Sequence, residues 1–252
     1  MKHFVIFITI LGLVACRDRP LQVQRITAAQ TAVDSTLVPD DSLEAYIRPY
    51  REHVAEELNA PLSFAPMLYS KSDGALNTSI GNLMADIVRE QTDTLMSLQN
   101  KLPVDLVVLN HGGIRSVISP GPVSQRTAYE VMPFENTIAV VSLTGPAMRS
   151  LFAFLAESGR PHPISGMEIT LQADGQIGSV RIGGQPFNED RVYRVATSDY
   201  LLGGGDDMGF FASGQSVETT GYKIRNALID YFRRTDTLRA AVDGRFTKME
   251  ER

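Results

Sequence analysis

Two short segments carry side chains that could do chemistry on a small polar ligand. The first, Asn110-His111-Gly112-Gly113-Ile114-Arg115, sets two consecutive glycines between an amide and a guanidinium. With no Cβ in the way, backbone N–H groups at Gly112 and Gly113 can approach a ligand closely. Asn110 offers both donor and acceptor to a base edge or a sugar, and Arg115 offers a planar fork for phosphate or carboxylate. The second segment, Thr197 to Gly209, places Tyr200 where a strand pattern stops, then Gly203-Gly204-Gly205, then Asp206 and Asp207. A carboxylate on such a turn can accept two hydrogen bonds from a ribose diol, and a tyrosine ring can stack on a base. Taken singly, the first segment is equally a tight turn with a surface arginine, and the second a glycine hinge with solvated aspartates. A cation at the second segment is disfavoured, because calcium needs more oxygen ligands than it shows.

Positioning these segments requires regular elements around them. Val104 to Leu109 is a short, almost continuous apolar run, as in a strand buried on both faces. Thr137 to Leu143 reads as another strand, and Gly145-Pro146 opens a helix through Met148, Leu151, Phe152 and Leu155 that stops at Gly159. Residues 166 to 198 read as strands with turns at Asp174-Gly175 and Gly183-Gly184. Upstream, Asp41-Ser42 is an N-cap pair before an apolar stripe of Leu43, Tyr46, Ile47, Tyr50, Val54 and Leu58, with Pro49 predicting a kink or a two-piece helix. Thr78 or Ser79 caps a second helix with Ile80, Leu83, Met84, Ile87 and Val88 inward, and Tyr222 to Phe232 forms a final amphipathic helix. Helices interleaved with strands of mixed pattern predict an α+β fold, a mixed β-sheet flanked by helices.

The composition excludes several classes. At 252 residues, 43% apolar, 21% charged and a net charge of −5, the chain suits a folded globular domain rather than a disordered or fibrous one. An acidic pI near 5.4 argues against binding a nucleic-acid polymer. One cysteine cannot form an internal disulfide, and four histidines cannot furnish many metal sites.

The N-terminus has its own logic. Lys2 precedes an apolar run from Phe4 to Val14, too short to span a bilayer but suited to an export signal. It ends in Leu13-Val14-Ala15-Cys16, which resembles the bacterial lipoprotein signal, and Cys16 is the one cysteine in the chain. The resemblance implies residues 1–15 as a signal peptide, lipidation of Cys16 and residence in the cell envelope, as a periplasmic or outer-membrane lipoprotein. Residues 16–41 lack a sustained period and read as a tether, leaving 42–252 as the folded domain.

In order along the chain, Ile80-Gly81-Asn82-Leu83, Asn110-His111-Gly112-Gly113-Ile114-Arg115, Met132-Pro133-Phe134-Glu135-Asn136, and Tyr200 with Gly204-Gly205-Asp206 resemble the C-terminal domain of the 5′-nucleotidase family. The resemblance runs from about Ser42 to Phe246. It implies that Phe134 and Tyr200 sandwich a nucleobase, Asn110 contacts the base, Arg115 meets the phosphate and Asp206 the ribose hydroxyls, with Gly112 and Gly113 beside them as substrate-binding positions. His111 falls at a variable position of the motif and is not expected to be catalytic. One departure is the arginine that the family often carries in the stretch aligned with Gly74 to Thr78; Leu76 stands there, with Lys71 nearby.

The family's hydrolytic chemistry belongs to a separate metallophosphoesterase domain with two metal ions. Beyond the signal, His53, His111 and His162 are the remaining histidines, and none lies in a dimetal motif. No catalytic residue, metal ligand or cofactor is therefore expected in this chain. Divalent metals would sit on a separate metallophosphoesterase partner, and the ligand would be a nucleotide or nucleoside. A non-catalytic nucleotide-binding module of the envelope, and a decayed domain with an empty pocket, are the competing readings.

Overall fold

A computed structural model describes Val23 and residues 25–250. Cys16 and the signal segment lie outside the described residues. The chain separates into two units, Met1–Arg48 and Pro49–Arg252, and the sheets, cores and cavities below belong to the second. Residues 25–40 carry neither helix nor strand and are exposed. Among the described residues no helix is long and apolar enough to cross a membrane.

Helix α1 spans Asp41–Asn59 and runs through Pro49 as a single assigned helix, rather than in two pieces. Its cap is Asp40, one residue before the expected pair: Asp40 Oδ1 accepts from the backbone N–H of Ser42 at 2.9 Å and of Leu43 at 3.1 Å. None of its residues is buried: the apolar stripe is helical, with side chains exposed or half-exposed.

The centre is a five-stranded sheet built from β2 (Leu106–Val108), β4 (Thr137–Leu143), β5 (Ile164–Ser165), β9 (Tyr193–Ser198) and β10 (Ser216–Lys223), in the order β10-β4-β9-β2-β5. β2 and β9 are parallel, whereas β4 is antiparallel to β9. Strand alternation sends Val107, Val140 and Ala196 into one core and Leu106, Val108, Val141 and Val195 into the other. The first core is roofed by α2 (Ser79–Leu98) and by α6 (Ile224–Arg234), the second by α4 (Gly145–Ser158). Burial on both faces accounts for the apolar run Leu106 to Leu109 that precedes Asn110.

Smaller pieces complete the unit. β1 (Pro61–Ala65) pairs antiparallel with β3 (Gly121–Ser124), which leads into the short α3 (Gln125–Val131). β6 (Met167–Leu171), β7 (Ile177–Ile182), β8 (Gln185–Pro186) and β11 (Phe246–Lys248) form a four-stranded sheet in the order β11-β6-β7-β8. The final helix begins at Ile224 rather than Tyr222, because Tyr222 still belongs to edge strand β10.

The Ile80-Gly81-Asn82-Leu83 stretch opens α2, with Thr78 Oγ1 accepting from Gly81 N–H at 3.2 Å. Asn82 Nδ2 donates to Asn77 Oδ1 at 2.8 Å and to the Ala241 carbonyl at 2.8 Å. Asn77 in turn donates to the carbonyls of Asp243 and Phe246. Both amides are buried, so this network satisfies polar backbone that would otherwise be stranded. The motif therefore staples the C-terminal segment to α2 and does not reach the ligand side.

Candidate functional site

Three chain segments meet at one edge of the central sheet because of strand direction. The parallel strands β2 and β9 both end there, delivering Asn110 and Tyr200, and the antiparallel β4 begins there, delivering Phe134 and Asn136 just ahead of Thr137. Loops at the carboxyl ends of parallel strands are a common place for ligands in open sheets. A cavity of about 240 Å³ lies at this edge, lined by Asn110, Gly112, Gly113, Arg115, Phe134, Asn136, Tyr200 and Asp206. All seven positions singled out from the sequence for ligand binding are thus gathered in one place, and Asn136 joins them.

Each side chain is held by identifiable contacts. Asn110, buried, donates from Nδ2 to Asp206 Oδ2 at 2.7 Å. His111–Gly113 forms a single 3₁₀ turn, and a Cβ at Gly113 would stand 2.8 Å from Asn110 Oδ1. The glycines therefore make room for the site's own amide. Arg115 is fixed through its backbone N–H to the Val131 carbonyl at 2.9 Å, and its guanidinium lies 5.7 Å from the centre of the Phe134 ring, within cation–π range.

Phe134 and Tyr200 are 39% and 47% exposed, which suits rings that wait for a partner on one face. Tyr200 is the second residue of the short helix α5 (Asp199–Leu202), whose cap Ser198 accepts from Leu201 N–H. Its ring lies against Gly205, where any Cβ would fall 2.4 Å from ring carbons. Its hydroxyl donates to Asp206 Oδ1 at 3.0 Å, and this bond raises the tyrosine's pKa. Gly204, with φ of 87°, turns the chain so that Asp206 faces back toward Asn110.

Several supporting residues were not legible in the sequence. Arg225, 4% exposed on the first turn of α6, donates to the carbonyls of Pro133 and Phe134 at 3.2 Å each and pairs with Glu135. The Arg225 bond, then one from Lys223, holds the Glu135 carboxyl at about 2. His162, 4% exposed, accepts at Nδ1 from the His111 backbone N–H at 3.3 Å, and burial pushes its pKa down to about 4. His111 is also lowered, by burial and then by the charge of Lys71. Lys71 donates to the Ile114 carbonyl at 3.0 Å, so it stands behind the glycine turn rather than on the cavity wall.

A more open cleft of about 710 Å³ lies among Asp86, Arg89, Glu168, Arg181 and Arg245. In it Arg245 pairs with Asp86 and Asp243 and Arg181 with Glu168, and it has no aromatic wall. The smaller cavity, with two half-exposed rings and convergent polar groups, has the anatomy of a ligand site. Among the described residues, no three His, Cys, Asp or Glu side chains gather to hold a metal ion.

Comparison with known proteins is consistent with this geometry. Residues 56–213 match the family model described as 5′-nucleotidase, C-terminal domain. A 5′-nucleotidase of Vibrio vulnificus is 25% identical over 216 residues, covering 82% of this chain and 36% of that protein. Among solved structures, a 5′-nucleotidase precursor from Thermus thermophilus aligns with a TM-score of 0.69 at 22% identity, over 84% of this chain and 43% of the other. The NAD nucleotidase of Haemophilus influenzae aligns with a TM-score of 0.54 at 19% identity, over 83% and 42%. The chain thus spans about a third of the length of the curated relatives it matches.

Proposed function

The chain belongs to the family of 5′-nucleotidase C-terminal domains, and from that premise we propose that it is the nucleotide- or nucleoside-recognising part of a 5′-nucleotidase-type phosphoester hydrolase. The observation that carries this reading is the convergence of Phe134, Tyr200, Asn110, Asp206 and Arg115 on one cavity. The two rings offer stacking faces for a base, each such contact contributing about 1–3 kcal/mol. Asp206 accepts from sugar hydroxyls, and Arg115 presents its fork to a phosphate. A volume of about 240 Å³ is below the ~300–1,000 Å³ of a pocket that encloses a whole ligand. It suits a base and part of a sugar, with the phosphate projecting outward.

Hydrolysis then falls to metal-bearing residues elsewhere, supplied in this reading by a separate metallophosphoesterase chain. Two ions on that chain would activate water and brace the transferring phosphoryl group. Lipidation at Cys16 would hold this chain at an envelope membrane, and a partner on the same surface would gain effective concentration. If no such partner exists, the same cavity serves as a nucleotide-binding module of the envelope.

Phosphate release tests the division of labour. The purified chain with added divalent metal is expected to release none from AMP or UMP, and pull-down of the tagged protein from its native envelope is expected to bring a metallophosphoesterase that does. Metal-dependent turnover by this chain alone contradicts the proposal.

A further inference from the structure

The hydroxyl of Tyr200 is not needed for stacking, since a phenyl ring offers the same face, yet the structure gives it a specific partner. It donates to Asp206 Oδ1 at 3.0 Å while Asn110 Nδ2 donates to Asp206 Oδ2 at 2.7 Å. Each carboxylate oxygen is therefore pinned by one donor and keeps acceptor capacity for another. The backbone beneath is unusual as well: Asp206 and Asp207 have φ of 52° and 61°, a region costly for residues with a Cβ. Such a conformation persists only where the surroundings over-determine it. The two side-chain anchors, together with the Tyr200 ring seated on Gly205, are part of that determination.

We infer that the Tyr200 hydroxyl is a positioning group that presets Asp206 for a vicinal diol, and so makes the site selective for ribonucleosides and ribonucleotides over ligands lacking the 2′ and 3′ hydroxyls. The inference rests on the nucleoside-binding reading above and assigns that site its sugar specificity. With the hydroxyl removed, Oδ1 loses its anchor, the carboxylate rotates about its terminal torsion, and part of the diol interaction is spent on fixing it. The stacking face is untouched. The cost therefore falls on ligands that carry the diol and spares those that do not.

Calorimetry on the full chain separates these contributions. The probes are the four ribonucleosides and their 2′,3′-dideoxy counterparts, measured on the wild type, Tyr200→Phe and Tyr200→Ala. The wild type is expected to prefer the ribonucleoside. Tyr200→Phe is expected to weaken that binding about three- to ten-fold, the worth of one hydrogen bond, and to leave the dideoxynucleoside within about two-fold. Tyr200→Ala is expected to weaken both. A Tyr200→Phe variant whose riboside-to-dideoxyriboside ratio equals the wild type's, or whose riboside affinity rises because the hydroxyl had been competing for Asp206, overturns the inference and leaves the nucleoside site standing. Wild-type protein that binds none of the probes overturns the underlying reading, and the inference with it.

Discussion

Arg225 reaches from the first turn of α6 to the backbone of Phe134, donating to its carbonyl at 3.2 Å, and bonds the Pro133 carbonyl at the same distance. The ring that faces the cavity is thus positioned by a buried cation more than ninety residues away in sequence. The backbone N–H of Ile224 adds a bond to the Asn136 carbonyl at 3.0 Å, so α6 grips both sides of the aromatic loop. Arg225 also lies 4.1 Å from the centre of the Tyr129 ring, which adds to the Glu135 pair and the two carbonyl bonds in compensating a buried guanidinium.

Arg225→Ala is therefore expected to lower nucleoside affinity without removing any group that touches the ligand. Loss of its charge-assisted bonds costs about 1–3 kcal/mol of stability. Urea melts and calorimetry on one preparation check this. Unchanged affinity in a variant that has lost stability would show that the loop does not depend on this contact.

His162 makes stability depend on acidity. Its folded-state pKa of about 4 lies below the ordinary 6.5, so the unfolded chain binds the proton more readily between those values. The stabilising contribution is complete above about pH 6.5 and is lost as pH falls toward 4. With about 1.4 kcal/mol per unit, it amounts to roughly 3 kcal/mol. Protonation at Nδ1 would also remove the acceptor for the His111 N–H. His111, Asp206 and Arg160 are the charged or titratable groups that act on it. His162→Asn, which keeps an acceptor but no proton to gain, is expected to lose less stability than wild type between pH 7 and pH 5 in urea titrations. Parallel losses would assign the acid sensitivity to other groups.

Gly205→Ala tests the seat of the tyrosine ring. A Cβ there would fall 2.4 Å from ring carbons, so the ring must move. The displaced ring is expected to forfeit about 1–3 kcal/mol of base stacking, while the melting temperature changes little because Gly205 is half-buried and belongs to neither hydrophobic core. Calorimetry beside a thermal melt distinguishes this from general destabilisation.

Much of the site was legible because its residues are local and chemically distinctive. Asn110 to Arg115 and Tyr200 to Asp206 each bring glycine next to polar groups, and the apolar run before Asn110 marks the strand that presents them. Their supports were not legible. Arg225 and His162 act across long sequence separations, and helical periodicity assigns a charged residue such as Arg225 to the solvent face, whereas packing of α6 on the aromatic loop buries it. Strand β10 was hidden because an edge strand with Glu218, Thr219 and Thr220 has no apolar alternation. Helix α1 shows the reverse case: its stripe predicts a helix correctly, but periodicity alone does not say what, if anything, the stripe packs against.

The account turns on whether this cavity takes a nucleoside between two rings. The most direct measurement is calorimetric titration of the wild type and of Phe134→Ala with the four common ribonucleosides and their 5′-monophosphates. The account predicts saturable binding of at least one base, weakened in Phe134→Ala by about 1–3 kcal/mol. Heats indistinguishable from buffer dilution for every base, or binding that Phe134→Ala leaves unchanged, would contradict it.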